Sequence, residues 1–252
     1  MPEDVRRSFA PVAANYSRSA FHGAPERLLE VADLAQPRPG DRVLDVATGT
    51  GNTALALAPS VRWVVGLDLT AEMLEQARRV ASERGVENVE WVLGDASRLP
   101  FADAAFDLYA VRAAPHHFND LPASLEEAHR VLKPGGRAVF IDCAPPAAAR
   151  DHLHQVELGR DPSHVRCHTV DEWRDLIEGA GFVVERADRR ELDWDFEAWM
   201  ANMAVPAAQA EALARAVESA AGRAREQLRP ERRSGRLFHA YWHALIRARR
   251  PW

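Results

Sequence analysis

Val43-Leu44-Asp45-Val46-Ala47-Thr48-Gly49-Thr50-Gly51-Asn52-Thr53-Ala54 decides the reading of this chain. Its first four residues form a short, largely apolar run of the kind a buried strand shows. Gly49 and Gly51 then permit a tight turn and close approach of backbone to a ligand, and Ala54 lets the following helix pack against the strand. Strand, glycine turn and helix in this order fit the Gly-x-Gly-x-x-Gly/Ala turn of nucleotide-binding folds. A purely structural turn uses the same glycines, so the flanking sequence has to decide.

The flanks repeat the pattern. Pro25–Ala35 has apolar positions at helical spacing, stopped by Pro37, Pro39 and Gly40. Val61–Leu67 reads as strand. Thr70 can N-cap a helix to about Arg84, with Glu72 and Glu75 near its positive end and Gly85 closing it. Val89–Leu93 and Phe106–Val111 read as strands, Leu121–Leu132 as an amphipathic helix, Lys133–Gly136 as a turn and Arg137–Asp142 as a fifth strand. Strand and helix alternating through residues 41–142 predict an α/β, Rossmann-like, doubly wound parallel sheet. Beyond it lie a helical insertion over Pro145–Ser163, a helix from Thr169 or Asp171 to Glu178, and a strand from Phe182 to Arg186. Helix then runs through Phe196–Ala221, interrupted at Pro206. Leu237–Ile246 alternates with Phe238, Ala240, Trp242, Ala244 and Ile246 on one face and reads as strand, with helix as the alternative.

Composition narrows the class. The 252 residues are 47% hydrophobic and 27% charged, with net charge −5, the profile of a globular chain. No apolar run approaches the ~20 residues of a membrane span. The acidic start Met1-Pro2-Glu3-Asp4 reads as no signal peptide, and the expected location is cytoplasmic. Cys143 and Cys167 are too few for a disulfide framework or a four-cysteine zinc site. Residues 201–252 hold ten Arg and four acids. Those Arg are interleaved with apolar positions, so they read as structural surface and no nucleic-acid partner is expected.

In an open α/β sheet ligands sit beyond the C-terminal strand ends. The second strand ends at Asp68, 17 residues after Gly51, where an acid can accept from both hydroxyls of an adenosine ribose or serve only a helix start. The third ends at Gly94-Asp95-Ala96, where a short acid can accept from an adenine amino group. Asp45, inside the first strand, would repel a pyrophosphate but suits a ligand with an ammonium group. No Lys or Arg occurs between Leu44 and Pro59, and no phosphate-binding Gly-x-x-x-x-Gly-Lys-Ser/Thr is present. These features favour S-adenosylmethionine (SAM), which carries an α-ammonium, a sulfonium and no phosphate. Ala47, Thr48, Leu69, Met73, Ala96 and Arg112 complete the expected cofactor set with Asp45, Gly49, Gly51, Asp68 and Asp95.

The segment Val43–Gly51 resembles motif I of the class I SAM-dependent methyltransferases. Gly66-Leu67-Asp68, Gly94-Asp95-Ala96, Leu99-Pro100-Phe101, Phe106-Asp107 and Arg130–Gly136 also match their pattern. The resemblance covers roughly residues 40–142 and is nearest the small-molecule branch of ubiquinone/menaquinone biosynthesis C-methyltransferases. Arg160-Asp161-Pro162-Ser163-His164-Val165 resembles a stretch in bacterial members of that branch. Ala47 departs from it, since the family more often has glycine there. The resemblance implies a single domain, residues 1–252, with a seven-stranded sheet in the order 3-2-1-4-5-7-6 and strand seven antiparallel. Residues 40–142 would form the SAM-binding core, and 1–22, 143–168 and 194–230 helical lid segments around the acceptor. A monomer or homodimer is expected.

Methyl transfer is an in-line displacement from a sulfonium, so positioning supplies much of the rate, and a base matters when the acceptor arrives protonated. His117 and then His116, just after the fourth strand, are the first candidates, with His164 in the lid behind them. Either of the pair can equally be a loop or core histidine. His152-x-His154 lacks an evident third ligand, so no metal is expected. Cys143 follows the fifth strand as a nucleophile without a visible partner, or as a buried thiol. Tyr16 and Phe9 can close over the cofactor or simply pack. Trp194, Phe196 and Trp199 read first as core. The lid composition suits an apolar or aromatic small molecule with one polar handle, such as a phenol, enol or quinone-like ring. Methylation on oxygen or carbon, with nitrogen as a third option, would release S-adenosylhomocysteine. Two alternatives stand beside this: a protein of the same fold that binds SAM but catalyses a non-methylating reaction such as cyclisation, and an NAD(P)-dependent oxidoreductase, which Asp45 and Gly94-Asp95-Ala96 disfavour.

Overall fold

The glycine-turn segment lies at the centre of the sheet. In the computed structural model, which describes residues 2–18 and 23–252, strand β1 (Arg42–Val46) is flanked on both sides by parallel neighbours. Asp45 pairs in register with Gly66 of β2 (Trp63–Asp68) and with Ala110 of β4 (Phe106–Arg112). β3 (Val89–Leu93) extends the sheet beyond β2, and β5 (Leu132–Cys143) beyond β4. β8 (Arg236–Arg249) runs antiparallel to both β5 and β6 (Val183–Asp195). The order is therefore β3-β2-β1-β4-β5-β8-β6, as expected, with one addition. A short β7 (Glu231–Arg233) pairs with the start of β8 across Ser234 and Gly235, both at positive φ, as a two-residue hairpin turn demands.

Successive side chains of a strand point to opposite faces, and here both faces are covered. Leu44, Val46, Tyr109 and Phe140 pack under α6 (Leu121–Val131) and α8 (Val170–Gly179), against Leu125, Trp173 and Ile177. Val43, Leu108 and Val139 point the other way, against Val31 and Leu34 of α3 (Pro25–Ala35) and Ala54 and Leu57 of α4 (Asn52–Leu57). Each such Leu or Val, fully withdrawn from water, contributes about 1.5–3 kcal/mol. Buried Arg137 ties α3 to the sheet by donating to Ala35 O and Gln36 O and pairing with Asp41.

Local signals behave mostly as read. Thr169 caps α8 in a full capping box with Glu172. Thr70 does precede α5 (Ala71–Glu83), but its hydroxyl makes no capping bond. The turn at Lys133–Gly136 becomes an irregularity within β5, between the pairings Phe106–Leu132 and Leu108–Arg137. α1 (Pro2–Phe9) and α2 (Ala13–Arg18) lie over the first half of the sheet, where α2 packs on α5 and Arg6 of α1 donates to Leu69 O. Around the second half lie α7 (Ala147–Arg160), α9 (Phe196–Asn202), α10 (Ala207–Glu218) and α11 (Gly222–Leu228). Leu153, Val156, Trp194, Phe196, Trp199, Val217 and Tyr241 form a third apolar cluster among them. Residues 1 and 19–22 of the expected N-terminal lid lie outside the described residues. Among the described residues no helix is long and apolar enough to cross a membrane.

Cys143 and Cys167 are joined in a disulfide. This corrects the expectation of free thiols: Cys143 at the end of β5 carries no nucleophilic sulfur. The bond clamps the segment after α7 to the sheet.

Candidate functional site

The loop after β1 is held from two sides by carboxylates. Asp45, 1% exposed, accepts the Thr48 hydroxyl at 2.5 Å and the Ala54 N–H at 3.0 Å through Oδ2. Burial pushes its pKa up to about 7, against the lowering effect of those bonds and of Arg112. Asp68 accepts Gly49 N–H at 2.7 Å and Thr70 N–H at 2.9 Å, tying the loop to the start of α5. Its pKa is raised by burial, against those same donors. Ala47, where glycine is usual, sits at φ +53, and Gly51 at φ +84. A Cβ on Gly51 would stand 2.6 Å from Trp91, so this glycine serves close packing as well as conformation.

Above the loop opens a cleft with a cavity volume of about 350 Å³, continuous with solvent. Of the expected cofactor residues, Ala47, Thr48, Gly49, Asp68, Leu69, Met73, Asp95, Ala96 and Arg112 line it. Asp45 and Gly51 do not: both lie beneath the loop and shape it. The expectation that Asp45 meets a ligand ammonium directly is corrected accordingly. Asp95 uses Oδ1 to accept the Ser97 N–H and hydroxyl, at 2.9 and 2.8 Å, which leaves Oδ2 for a ligand. Arg112 donates to the Thr53 hydroxyl at 3.0 Å and supplies positive charge at the cleft wall.

A much smaller chamber, with a cavity volume of about 50 Å³, adjoins the cleft and shares Phe9, Tyr16, Ala113 and His117 with it. Phe9 and Tyr16 thus belong to the boundary between the two spaces. His116, Asp142, Cys143, Glu157, Arg160, Trp194, Trp199, Tyr241 and His243 complete its wall. Trp194 and Trp199, read first as core, are both buried and part of this lining.

The two adjacent histidines differ sharply. His116 Nδ1 lies 2.6 Å from Asp142 Oδ1. Burial alone would lower its pKa, but the Asp142 carboxylate outweighs that and raises it above the usual imidazole value. His117 packs edge-on against Phe9 and contacts Ser163 through Nδ1. Burial first, then the neighbouring His116, lower its pKa to about 3, so it is neutral and weakly basic. His116 thus holds the short carboxylate contact and is the more basic ring, while His117 Nε2 stands 3.8 Å from Asp161 Oδ2; from sequence His117 is placed first. His164 lines neither space; both its ring nitrogens are buried without partners and burial lowers its pKa to about 2. That argues against it as a base.

Asp142 was not among the expected residues. The signal was available: it ends β5, the neighbour of β4 in the expected sheet order, so it lands beside the residue that follows β4. Glu157 and Tyr241 had no such signal. Two triads, His116–Asp142–Cys143 and Glu157–His164–Cys167, bring metal-binding atom types together, but the disulfide occupies both sulfurs and leaves two ligands in each.

Residues 43–136 match the family model described as "Methyltransferase domain". The chain is 36% identical over 204 residues to "Uncharacterized methyltransferase YcgJ" of Bacillus subtilis, covering 79% of each protein. The solved structure of the Bacillus subtilis YcgJ protein superposes with a TM-score of 0.84 over 90% of this chain and 99% of that one, at 30% identity. A demethylmenaquinone methyltransferase of Thermus thermophilus is 42% identical over 145 residues, covering 55% of this chain and 65% of that protein. The structure titled as the [4+2]-cyclase SpnF shares the fold, with a TM-score of 0.65 at 21% identity over 90% of this chain and 80% of that one. With the glycine loop, the strand-end acids and the sheet order in place, these relatives settle the family and remove the oxidoreductase alternative: the chain belongs to the class I methyltransferases.

Proposed function

We propose that this chain binds SAM in the large cleft and transfers its methyl group to a small metabolite held in the adjoining chamber. The observation that carries the reading is the junction: one cleft with strand-end acids and Arg112 opens onto a second space through Phe9, Tyr16, Ala113 and His117. When bound, SAM supplies an electrophilic methyl carbon on a good leaving group. The residues present fit it. Asp68 would accept from the ribose hydroxyls, Asp95 Oδ2 from the adenine amino group, and Arg112 would meet the carboxylate. Leu69 and Met73 offer apolar surface to the base.

On the acceptor side His116, oriented and made more basic by Asp142, takes the proton from an acidic oxygen, carbon or nitrogen. His117, uncharged at the junction, orients the acceptor and adds no positive charge beside a sulfonium. The residues of 1–18, 143–168 and 194–230 serve as lid segments that exclude water. A mainly apolar or aromatic acceptor would meet polar groups, His116 and His117, at its reacting end.

The test is direct. SAM and S-adenosylhomocysteine should bind in calorimetry. With phenolic, enolic and amine acceptors, S-adenosylhomocysteine release should fall by about 10²-fold or more in His116→Ala, the scale of a lost general base. Absence of cofactor binding, or turnover indifferent to His116, refutes the reading.

A further inference from the structure

The adjoining chamber contains acids and a cation, and they are not equally occupied. Glu157 Oε1 accepts the Tyr241 hydroxyl at 2.6 Å. Asp142 Oδ1 is held by His116 at 2.6 Å. Asp161, which does not line the chamber, accepts the Ser163 hydroxyl and N–H at 2.7 and 2.9 Å. Each acid thus has a short donor on one oxygen, while Asp161 Oδ2 is buried without a hydrogen-bond partner, 3.8 Å from His117 Nε2.

Arg160 does not have the converse. It closes α7, is 9% exposed, and lines the chamber. Its Nη1 lies 3.5 Å from Glu157 Oε2 and its Nη2 3.5 Å from the Tyr16 hydroxyl, both at the outer limit of a hydrogen bond. Its Nε has no partner. A guanidinium has five donors and stays protonated even when buried, so leaving it with two long contacts is costly. It also lies over an aromatic face: the guanidinium carbon sits 4.8 Å from the centre of the Trp199 ring. A flat fork of donors, lying over an aromatic face and short of acceptors, matches a planar oxyanion. Beside it, Trp194 and Tyr241 stack at 4.2 Å, with the Arg27 guanidinium 5.4 Å from the centre of the Trp194 ring, and give an aromatic stretch of the wall.

Resting on the methyl-transfer reading above, we infer that the acceptor is an organic acid whose carboxylate docks on Arg160 while its flat carbon portion lies against Trp194, Trp199 and Tyr241. The carboxylate is the anchor. The reacting atom is elsewhere in the molecule, within reach of His116 and the junction with the cleft. Neutral or cationic analogues would leave Arg160 as it is and lose the anchoring pair.

The experiment compares acid and amide probes on the protein saturated with S-adenosylhomocysteine. Benzoate, salicylate and 4-hydroxybenzoate are titrated beside benzamide, salicylamide and 4-hydroxybenzamide, with benzylamine as the cation, by ligand-observed NMR. At least one acid should bind tenfold or more tightly than its amide. That preference should vanish in Arg160→Met and be partly restored in Arg160→Lys, which keeps charge without the fork. S-adenosylhomocysteine affinity, set by the cleft, should change less than twofold in both variants. Equal binding of acids and amides, preference for benzylamine, or an acid preference that survives Arg160→Met each overturns the inference. Failure of S-adenosylhomocysteine to bind the unmodified protein instead overturns the methyl-transfer reading, which keeps the two distinguishable.

Discussion

Asp68→Ala perturbs cofactor recognition and loop architecture together, because the carboxylate that braces the loop is also the one that would accept from the ribose, and two readouts tell the effects apart. In the structure each oxygen accepts one backbone N–H, from Gly49 and from Thr70. Removing the side chain leaves two buried donors unmet, at about 1–3 kcal/mol each, while also removing a buried carboxylate that burial disfavours. The net loss of stability should therefore be near about 2 kcal/mol, well inside what a domain of this size tolerates. Cofactor binding loses more specific contacts. Two ribose hydroxyls donating to one carboxylate are together worth about 1.5–3 kcal/mol, or roughly 10–150-fold in Kd. Asp68→Asn keeps one acceptor oxygen and should fall between the two. Calorimetry with S-adenosylhomocysteine, beside thermal melts of each variant, measures both effects on one sample. Asp45→Asn is the control, because Asp45 lies under the loop and outside the cleft; it should move the melting temperature more than the affinity. A folded Asp68→Ala protein that binds S-adenosylhomocysteine within threefold of the unmodified chain would falsify the assignment of the ribose to this strand end.

The pH profile tests the His116–Asp142 pair. Since the pKa of His116 is raised and the base must be neutral, kcat/KM should climb with pH through a value above about 6.5; Asp142→Asn should shift that limb to lower pH and cut the plateau about 10–100-fold. The same raised pKa means the pair stabilises the fold below about pH 6.5 and less as pH rises through the folded value, so the melting temperature of Asp142→Asn should approach that of the unmodified chain as pH rises from 6 to 9. Ala47, held at φ +53, should be relieved by glycine: about 1 kcal/mol of left-handed strain is removed and part is returned as unfolded-chain freedom, for a net gain of about 0.5 kcal/mol and a rise of about 1–2 °C. An unchanged or lower melting temperature for Ala47→Gly counts against that account.

The cofactor half of this molecule is legible because it is local. Val43–Ala54 holds a strand, the turn that ends it and the helix that follows, and Asp68 and Asp95 each stand at the end of a strand whose apolar run is visible in sequence. The alternation of Val43 against Leu44, or Leu108 against Tyr109, already states that both faces of the sheet are covered. What was misread within this half concerns direction: Asp45 and Gly51 occur in the motif because they build the loop from below, and spacing alone does not say which side of a turn a carboxylate faces. The chamber is of another kind. Tyr16, Asp142, Arg160, Trp194 and Tyr241 come from five separate elements and meet only once β8 has inserted between β5 and β6. No periodicity links such residues, and a pairing such as Cys143 with Cys167 is equally silent in sequence. Only where the expected sheet order sets two strand ends side by side, as with His116 and Asp142, does topology convert a remote pair into a readable one. The consequence is physical. Substitutions at Arg160, Trp194 or Tyr241 change the chamber walls without touching the glycine loop or its two supporting acids, so the shared motif identifies the family and leaves the reaction and its acceptor to be read from the chamber.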